Sequence, residues 1–221
     1  DAPGAWPARG PRLLVRPGPD ADTVHRALIT TALQAVAAQQ LSSWHVAFPT
    51  DHEVELLRSQ GLLVSHNVQF HWRDNGYGDF AGFMAAFSAE RRRKLRAERR
   101  RVAESGLTIE VRHGDEIDRG EWPALHVLYA STFDKYGNYA AFTAQCFADL
   151  AAALGRRMVL FIARADGVPV ALSICFRSAD TLYGRYWGTS GNYHSLHFEL
   201  CFYQGIDYCL REGLAIFEPG A

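Results

Sequence analysis

The chain has 221 residues, of which 48% are hydrophobic and 21% charged; this composition is globular, and the length suffices for one large core or two small ones. It has neither an apolar run of roughly 18 residues, as a membrane-spanning helix needs, nor the basic start and apolar stretch of a secretory signal, so we expect a cytoplasmic protein with no integral membrane segment. The formal net charge of −1 conceals one basic segment, because residues 88–105 hold eight basic and three acidic side chains.

The first part of the chain predicts a small unit of strands and helices. Three segments have strand patterns: residues 13–15, 43–48 and 62–72. The last of them has a possible break near Asn67. The spacing of apolar residues predicts helices over residues 21–40 and 51–59, and Thr50 is a suitable N-cap for the second.

The middle of the chain is mainly helical. A broken apolar stripe predicts one helix from Phe80 to about Glu104, which Gly106 ends. A strand over residues 107–112 follows, and then helices over residues 116–136 and 142–154. Pro123 predicts a kink or a restart of the first of these near Trp122.

The last third has the clearest pattern. Three strands are predicted over residues 157–165, 168–176 and 181–187, and tight turns separate them. A helix over residues 196–212 and a strand over residues 214–217 complete the series. Helices before and after an antiparallel meander predict an α+β fold rather than a doubly wound parallel sheet. We expect the strands near residues 158–187 to splay beside the following helix and leave a slot for two reactants.

Six phrases of the sequence carry a family resemblance. They are GPRLLV at 10–15, QFHW at 69–72, FSAERRRKLR at 87–96, LYGRYWG at 182–188, LHFE at 196–199 and FEPGA at 217–221. In this order they resemble the FemAB-like proteins of peptidoglycan biosynthesis or recognition, which belong to the GNAT acyltransferase superfamily. Members of that family are longer at both ends, so the resemblance implies that this chain is truncated.

The resemblance also implies a domain organisation and a reaction. We expect a partial GNAT-like domain over residues 1–78 and a GNAT-like domain, truncated at its C-terminus, over residues 79–221, with a mixed, mainly antiparallel sheet flanked by helices. Fem-type relatives transfer an amino acid from aminoacyl-tRNA to a peptidoglycan precursor, so aminoacyl-tRNA or an acyl-CoA is the possible donor. Enzymes that use acetyl-CoA hold its pyrophosphate with a Gln/Arg-x-x-Gly-x-Gly/Ala loop. Residues 185–192 read RYWGTSGN, which lacks that spacing and disfavours acetyl-CoA.

Two residues near the start of the predicted helix after the third meander strand are candidates for acid–base chemistry. His197 is a possible general base toward an amine, and Glu199 is a second candidate. Glu199 shares a helix face with Tyr203 at the i, i+4 spacing, and Gln204 follows as a further substrate-binding candidate. The alternative is that both residues only cap the helix, where a carboxylate is favoured by the helix dipole.

A second candidate group lies on the strand over residues 181–187. Strand alternation places Tyr183, Arg185 and Trp187 on one face, where an arginine between two aromatic rings suits an anionic ligand with a flat or apolar part. The alternative is a core strand in which Arg185 forms a buried ion pair. Gln69 and His71 are predicted to line a groove between the two domains, and a structural role for them is also open.

The basic segment is a candidate surface for anions or nucleic acid. Five arginines lie off its apolar stripe: Arg92, Arg93, Arg96, Arg99 and Arg100. Their charge would attract phosphate-bearing ligands such as tRNA, a nucleotide-linked precursor or an anionic lipid surface, and the alternative is a solvated charged helix. No metal site is predicted, because the nine histidines are scattered and neither HExxH nor CxxC occurs. The four cysteines indicate core residues in a reducing compartment.

These observations favour a Fem-like acyl or aminoacyl transferase that acts on an amine, possibly of a peptidoglycan precursor, with an anionic small molecule or a muropeptide as substrate and tRNA as a possible partner. One alternative is a non-catalytic binding module for cell-wall precursors or polyanions. A further alternative is an acetyl-CoA-dependent N-acetyltransferase with an atypical loop. The oligomeric state is left open.

Overall fold

A computed structural model of the chain describes residues 10–66 and 68–220, so predictions that fall on residues 1–9, Asn67 and Ala221 lie outside the described residues. The chain divides into two compact units, Asp1–Val68 and Gln69–Ala221. The assignment of residues 1–78 and 79–221 as two GNAT-like domains stays a prediction.

The first unit contains two helices, α1 (Ala21–Ala38) and α2 (Asp51–Ser59). Thr50 caps α2 through a reciprocal capping box with Glu53, in which each side chain accepts a hydrogen bond from the other residue's backbone N–H. Glu53 is buried and also accepts from the backbone N–H groups of Arg12 and Leu13, at 2.6 and 2.7 Å. One carboxylate therefore fixes both the start of α2 and the preceding segment.

Of the three strands expected in the first part of the chain, two do not form and the third is reduced to its last residue. Within the described residues, 13–15 and 43–48 have no regular structure, and of 62–72 only Trp72 enters a strand. A strand needs a partner for its backbone groups, and the alternating pattern of these segments supplies none. At the first segment the N–H of Leu13 is satisfied by Glu53 instead.

The second unit holds one six-stranded sheet flanked by helices. Its elements in chain order are β1 (Trp72–Arg73), α3 (Phe80–Ala85), α4 (Ala89–Ala103), β2 (Thr108–His113), α5 (Trp122–Lys135), α6 (Ala144–Leu154), β3 (Met158–Ala165), β4 (Val168–Arg177), β5 (Thr181–Thr189), α7 (Leu196–Phe198), a π-helical turn (Glu199–Tyr203), α8 (Gln204–Glu212) and β6 (Ile216–Glu218). The strand order is β1-β6-β5-β4-β3-β2, and only β5 and β6 pair in parallel. The predicted α+β class with a mainly antiparallel sheet is confirmed.

The two faces of the sheet carry separate cores. On one face, Phe83 of α3, Leu95 of α4 and Cys209 of α8 belong to a cluster that includes Phe161 of β3. On the other face, α5 and α6 pack against alternate residues of β3 and β4. Ser88 caps α4 and separates it from α3, so the single helix predicted from Phe80 to Glu104 is two helices.

The expected splaying of strands near residues 158–187 is wrong. β3, β4 and β5 pair along their lengths, from Met158 to Thr189. Pairing ends instead between the parallel strands β5 and β6, which are in register only from Thr181 to Tyr183. The chain after β6 stays close to β5 at Gly184, where an added Cβ would lie 2.5 Å from the carbonyl oxygen of Pro219.

Candidate functional site

A π-helical turn lies in the helical segment that follows β5. The turn spans Glu199–Tyr203 and separates α7 from α8. In a π-helical turn the backbone of residue i bonds to that of residue i+5, which brings side chains five residues apart close together. Here Nε2 of Gln204 donates to Oε1 of Glu199 at 2.8 Å. Two residues predicted from the sequence, Glu199 and Gln204, are thus in direct contact.

The carboxylate of Glu199 is buried and paired with Arg99 of α4. Nε of Arg99 lies 3.2 Å from both oxygens, and Nη2 lies 3.1 Å from Oε1. The Arg99 guanidinium also covers the ring of Phe80 at 4.4 Å. Arg99, predicted as part of an anion-binding surface, therefore contacts Glu199, predicted as a catalytic acid or base.

Tyr203, at the end of the π-helical turn, donates its hydroxyl hydrogen to Oε2 of Glu98 on α4. Burial, the hydrogen bond to Glu98 and the nearby carboxylates raise the pKa of Tyr203 well above its ordinary value. The hydroxyl is therefore a proton donor and stays neutral at physiological pH. Glu98 was not among the candidates, although its spacing, three residues after Leu95 and four before Val102, places it on the buried face of α4.

His197 packs in a group of aromatic rings beside β5. Its ring centroid lies 5.1 Å from that of Trp187, in an edge-to-face arrangement, and 5.7 and 5.9 Å from those of Phe198 and Phe202. His197 keeps exposed surface, and desolvation by its neighbours lowers its pKa. The imidazole is therefore neutral at physiological pH, and its unprotonated nitrogen can accept a proton.

Arg185 is the extra residue of a β-bulge. Ile174 of β4 pairs with Tyr186 and Cys175 pairs with Gly184, so Arg185 is the residue inserted between the two pairs. The bulge reverses the alternation of β5: Tyr186 packs in the core cluster of α5 and α6, whereas Trp187 and Leu182 belong to the cluster of the opposite face. The expectation that Tyr183, Arg185 and Trp187 share one face is therefore wrong.

The surroundings of Arg185 are aromatic and acidic. Its guanidinium lies 5.4 Å from the ring centroid of Tyr183, and Nη1 donates to the carbonyl oxygen of Gly184 at 2.9 Å. Desolvation lowers the pKa of Arg185, and the charge of Glu218 opposes that effect. Glu218 lies opposite Tyr183 in the parallel pair and 3.6 Å from Nδ1 of His71. Residues from both ends of the second unit thus meet at this end of the sheet.

Gln69 and His71 both belong to the second unit. His71 contacts Glu218, as described above. Nε2 of Gln69 is buried, and within the described residues it has no hydrogen-bond partner.

The five arginines of α4 differ in their environments. Arg92 donates to the carbonyl oxygens of Ala85 and Phe87, so it closes the α3–α4 junction. Arg99 pairs with Glu199 as described above. The other three are exposed: Arg93, Arg96 and Arg100, of which the last lies 3.9 Å from Glu104.

The edge of β5 beyond the bulge is in contact with α5. The hydroxyl of Thr132 donates to the carbonyl oxygen of Trp187 at 2.6 Å, and that of Ser131 accepts from the N–H of Thr189 at 3.3 Å. Gly188 permits this approach, because a Cβ there would lie 1.7 Å from the carbonyl oxygen of Leu128. The first glycine of the RYWGTSGN phrase therefore serves helix packing.

The loop after β5 uses its own backbone donors. The N–H of Ser190 donates to the carbonyl oxygen of Val170 at 2.9 Å, and the N–H of Gly191 donates to Oγ1 of Thr189 at 3.3 Å. A pyrophosphate cradle needs such groups to be available. The sequence analysis did not identify Ser131 and Thr132 as contacts of β5. Nothing in the sequence marked them beyond the presence of two hydroxyl groups in an apolar helix.

The predicted site residues thus fall into three groups. Glu199 and Tyr203 contact α4, and Gln204 contacts Glu199, while His197 packs with Trp187. The third group is Arg185 with Tyr183, and Glu218, which lies near Arg185, connects it to His71.

Three solved structures align with the chain, and the fold is shared with FemX. FemX aligns over 90% of this chain and 68% of its own length, with a TM-score of 0.52 and 11% identity. The C-terminal domain of a putative lysylphosphatidylglycerol synthetase from Agrobacterium fabrum aligns at 13% identity and a TM-score of 0.49, over 91% of this chain and 60% of that domain. L-PGS from Bacillus licheniformis aligns at 14% identity and a TM-score of 0.49, over 90% of this chain and 57% of the L-PGS chain. The chain thus spans less than two thirds of the length of the last two proteins.

No curated protein matches the chain. Among the helices of residues 10–66 and 68–220, none is long and apolar enough to cross a membrane. The model of the FemAB-like family, described as peptidoglycan biosynthesis/recognition, matches residues 3–221. The chain therefore belongs to the FemAB-like family.

Proposed function

We propose that the chain transfers an aminoacyl group to the amine of a muropeptide-type peptidoglycan precursor. Membership of a family described as peptidoglycan biosynthesis/recognition supports the substrate class. The fold shared with FemX agrees with this proposal.

The observation that carries the proposal is the position of Arg185. A bulge places this half-buried cation just beyond the point where β5 and β6 cease to pair, against the ring of Tyr183. Although desolvation lowers its pKa, an arginine stays charged at physiological pH. A guanidinium that is partly removed from water favours an anionic ligand, and nucleotide-linked muropeptides carry phosphates and carboxylates.

His197 is the favoured proton acceptor. In the proposed reaction the acceptor amine attacks the ester carbonyl of the donor, and the N–C bond forms. The tetrahedral intermediate then collapses, the ester C–O bond breaks and the hydroxyl of the donor leaves. The amine proton passes to the neutral imidazole of His197, whose pKa is lowered by desolvation, and then from the imidazolium to the leaving oxygen, which becomes the free hydroxyl of the donor. Glu199 is the second candidate, and its contacts with Arg99 and Gln204 make it a positioning group first.

Aminoacyl-tRNA is the favoured donor. The N–H groups of Ser190 and Gly191 already donate to the carbonyl oxygen of Val170 on β4 and to the hydroxyl of Thr189, which argues against an acyl-CoA pyrophosphate there. The exposed arginines Arg93 and Arg96 on α4 would interact with phosphates of a nucleic acid.

The test is a transfer assay with the full chain, labelled aminoacyl-tRNA and a nucleotide-linked muropeptide, combined with titration calorimetry of the muropeptide. His197→Gln should lower transfer by about 100-fold and leave muropeptide affinity unchanged. Arg185→Gln should weaken muropeptide binding by roughly 10-fold or more. Arg211→Gln, an exposed arginine of α8, is the matched control and should change neither quantity. Absence of muropeptide binding, or equal effects of the control, would overturn the proposal.

A non-catalytic recognition module is the second candidate. It is favoured by the engagement of the Thr189 N–H with the hydroxyl of Ser131 on α5, because this backbone donor is then unavailable to an oxyanion. It predicts muropeptide binding that depends on Arg185, with no transfer from any donor and no effect of His197→Gln.

A further inference from the structure

The first turns of α1 and α2 bring three metal-binding side chains together in the first unit. Asp22 and His25 are three residues apart on α1 and so lie on one face, and His52 is the second residue of α2. One ligand atom from each lies within 4.8 Å of the others. Nε2 of His52 is 2.9 Å from Oδ1 of Asp22, and the two imidazole centroids are 5.8 Å apart.

The hydrogen bond of His25 leaves its other ring nitrogen available as a ligand. Nδ1 lies 2.9 Å from the carbonyl oxygen of Ala21, which can only accept, so Nδ1 carries the hydrogen. Nε2 of His25 is then the unprotonated nitrogen. A bond from the second ring nitrogen to a carbonyl oxygen is the arrangement that metal-binding histidines usually have, because it fixes the orientation and the tautomer of the ring.

An open groove adjoins the cluster. It has a volume of about 510 Å³, and its lining includes His25, His52, Thr50 and Glu53. Three protein ligands beside an open groove leave a coordination position for water or for a small ligand, as in catalytic rather than structural metal sites.

The local charge offsets the unfavourable field of the helices. Two helix N-termini carry partial positive charge, which disfavours a cation. Asp22 in α1 and Asp51 and Glu53 in α2 place acidic residues in these first turns. The carboxylate of Glu53 accepts hydrogen bonds from the backbone N–H groups of Arg12, Leu13 and Thr50, at 2.6, 2.7 and 2.8 Å.

We propose that Asp22, His25 and His52 bind a divalent transition-metal ion such as Zn²⁺, Ni²⁺ or Co²⁺. Metal–nitrogen bonds of about 2.0–2.1 Å require ligand atoms roughly 3.3 Å apart, which small rotations of these side chains supply. One carboxylate with two imidazoles suits this group of metals better than Mg²⁺ or Ca²⁺, which take oxygen ligands.

The test uses the full chain without a histidine tag. Ni²⁺ titration by calorimetry should show one site, and Asp22→Asn, His25→Ala and His52→Ala should each weaken it at least about 10-fold. His66→Ala is the matched control, an exposed histidine of the same unit outside the cluster, and should leave binding unchanged. Thermal melts of all variants without metal establish that they are folded.

The visible spectrum of the Co²⁺ complex supplies an independent measurement. Nitrogen and oxygen ligands give d–d bands without the thiolate charge-transfer band that the cysteines would produce. Three outcomes would overturn the proposal: a thiolate band, no Ni²⁺ binding, or binding that survives all three cluster substitutions. Asp22 and His52 would then form only a surface ion pair.

Discussion

Arg99 and Glu199 form the ion pair that joins α4 to the π-helical turn. Nε of Arg99 is 3.2 Å from each carboxylate oxygen of Glu199. The side chain of Glu199 is 4% exposed and that of Arg99 is 32% exposed, so the two partners are unequally buried. Removal of either one should therefore have a different cost.

We expect Arg99→Met to lower the free energy of unfolding by about 3 kcal/mol, because it leaves a buried carboxylate without its cation. Glu199→Gln should cost less, about 1 kcal/mol, since Arg99 can turn to solvent. Urea unfolding measures both. Arg93→Met, an exposed arginine of the same helix, should stay within about 0.5 kcal/mol. Equal costs for Arg99→Met and Arg93→Met would refute a stabilising pair.

Gly188→Ala should lower the free energy of unfolding by at least about 3 kcal/mol or prevent folding, because the added methyl would overlap the carbonyl oxygen of Leu128. Gly120→Ala is the control, since a Cβ there meets no atom within 4 Å. It should leave stability unchanged or raise it by about 0.5 kcal/mol. Thermal and urea unfolding of both variants measure the effect. Equal stabilities of the two variants would show that Gly188 is not needed for the close packing of α5.

The lowered pKa of His197 predicts a pH dependence of stability. As the pH falls below the ordinary histidine value of 6.5, the unfolded chain takes up a proton at this residue before the folded protein does. Stability should therefore decline below that pH until the folded-state pKa is reached. His197→Gln should decline less than the parent between pH 7 and 5. Identical curves for parent and His197→Gln would contradict the lowered pKa.

The thiols should differ in reactivity. Burial raises the pKa of Cys175 and of Cys209 to about 12, so neither forms a reactive thiolate at neutral pH. We expect a disulfide reagent to label Cys146, which is only half-buried, before these two. Cys146→Ser should remove a fast phase, and urea should release the buried thiols. Fast labelling that persists in Cys146→Ser would contradict this order.

The strands of the meander could be predicted because local signals agree. The turn at Asp166 and Gly167 has positive φ at both residues, 49° and 80°, which suits a tight hairpin between right-twisted strands. The buried residues of β3 are apolar on both faces, as expected for a strand between two helical layers. The pattern and the turn chemistry therefore pointed to one structure.

The bulge at Arg185 could not be predicted from alternation. Tyr183, Tyr186 and Trp187 suit either face of a strand, so a shift of one residue leaves the pattern equally acceptable. Gly184 was the available signal, because a glycine within a strand often marks a close backbone approach, and here the carbonyl oxygen of Pro219 would lie 2.5 Å from an added Cβ.

The different contacts that the arginines of α4 make depend on tertiary packing. Arg92, Arg96 and Arg99 look alike in sequence, and the partner of Arg99 is 100 residues away. The signal in the sequence was Glu199 itself, because an acid within an apolar helix needs a cation from elsewhere. Which cation it finds is fixed only by the packing of α4 on the helical segment.

The pairing of Trp72 with Phe217 joins the first strand of the second unit to its last. Synthesis proceeds from the N-terminus, so β1 must wait for nearly the entire unit to leave the ribosome before its partner exists. Closing so long a loop is entropically costly, and β1–β6 should be among the last contacts to form and the first to exchange amide hydrogens. The neighbourhood of His71 and Glu218 is thus completed late in folding, after the meander that supports it.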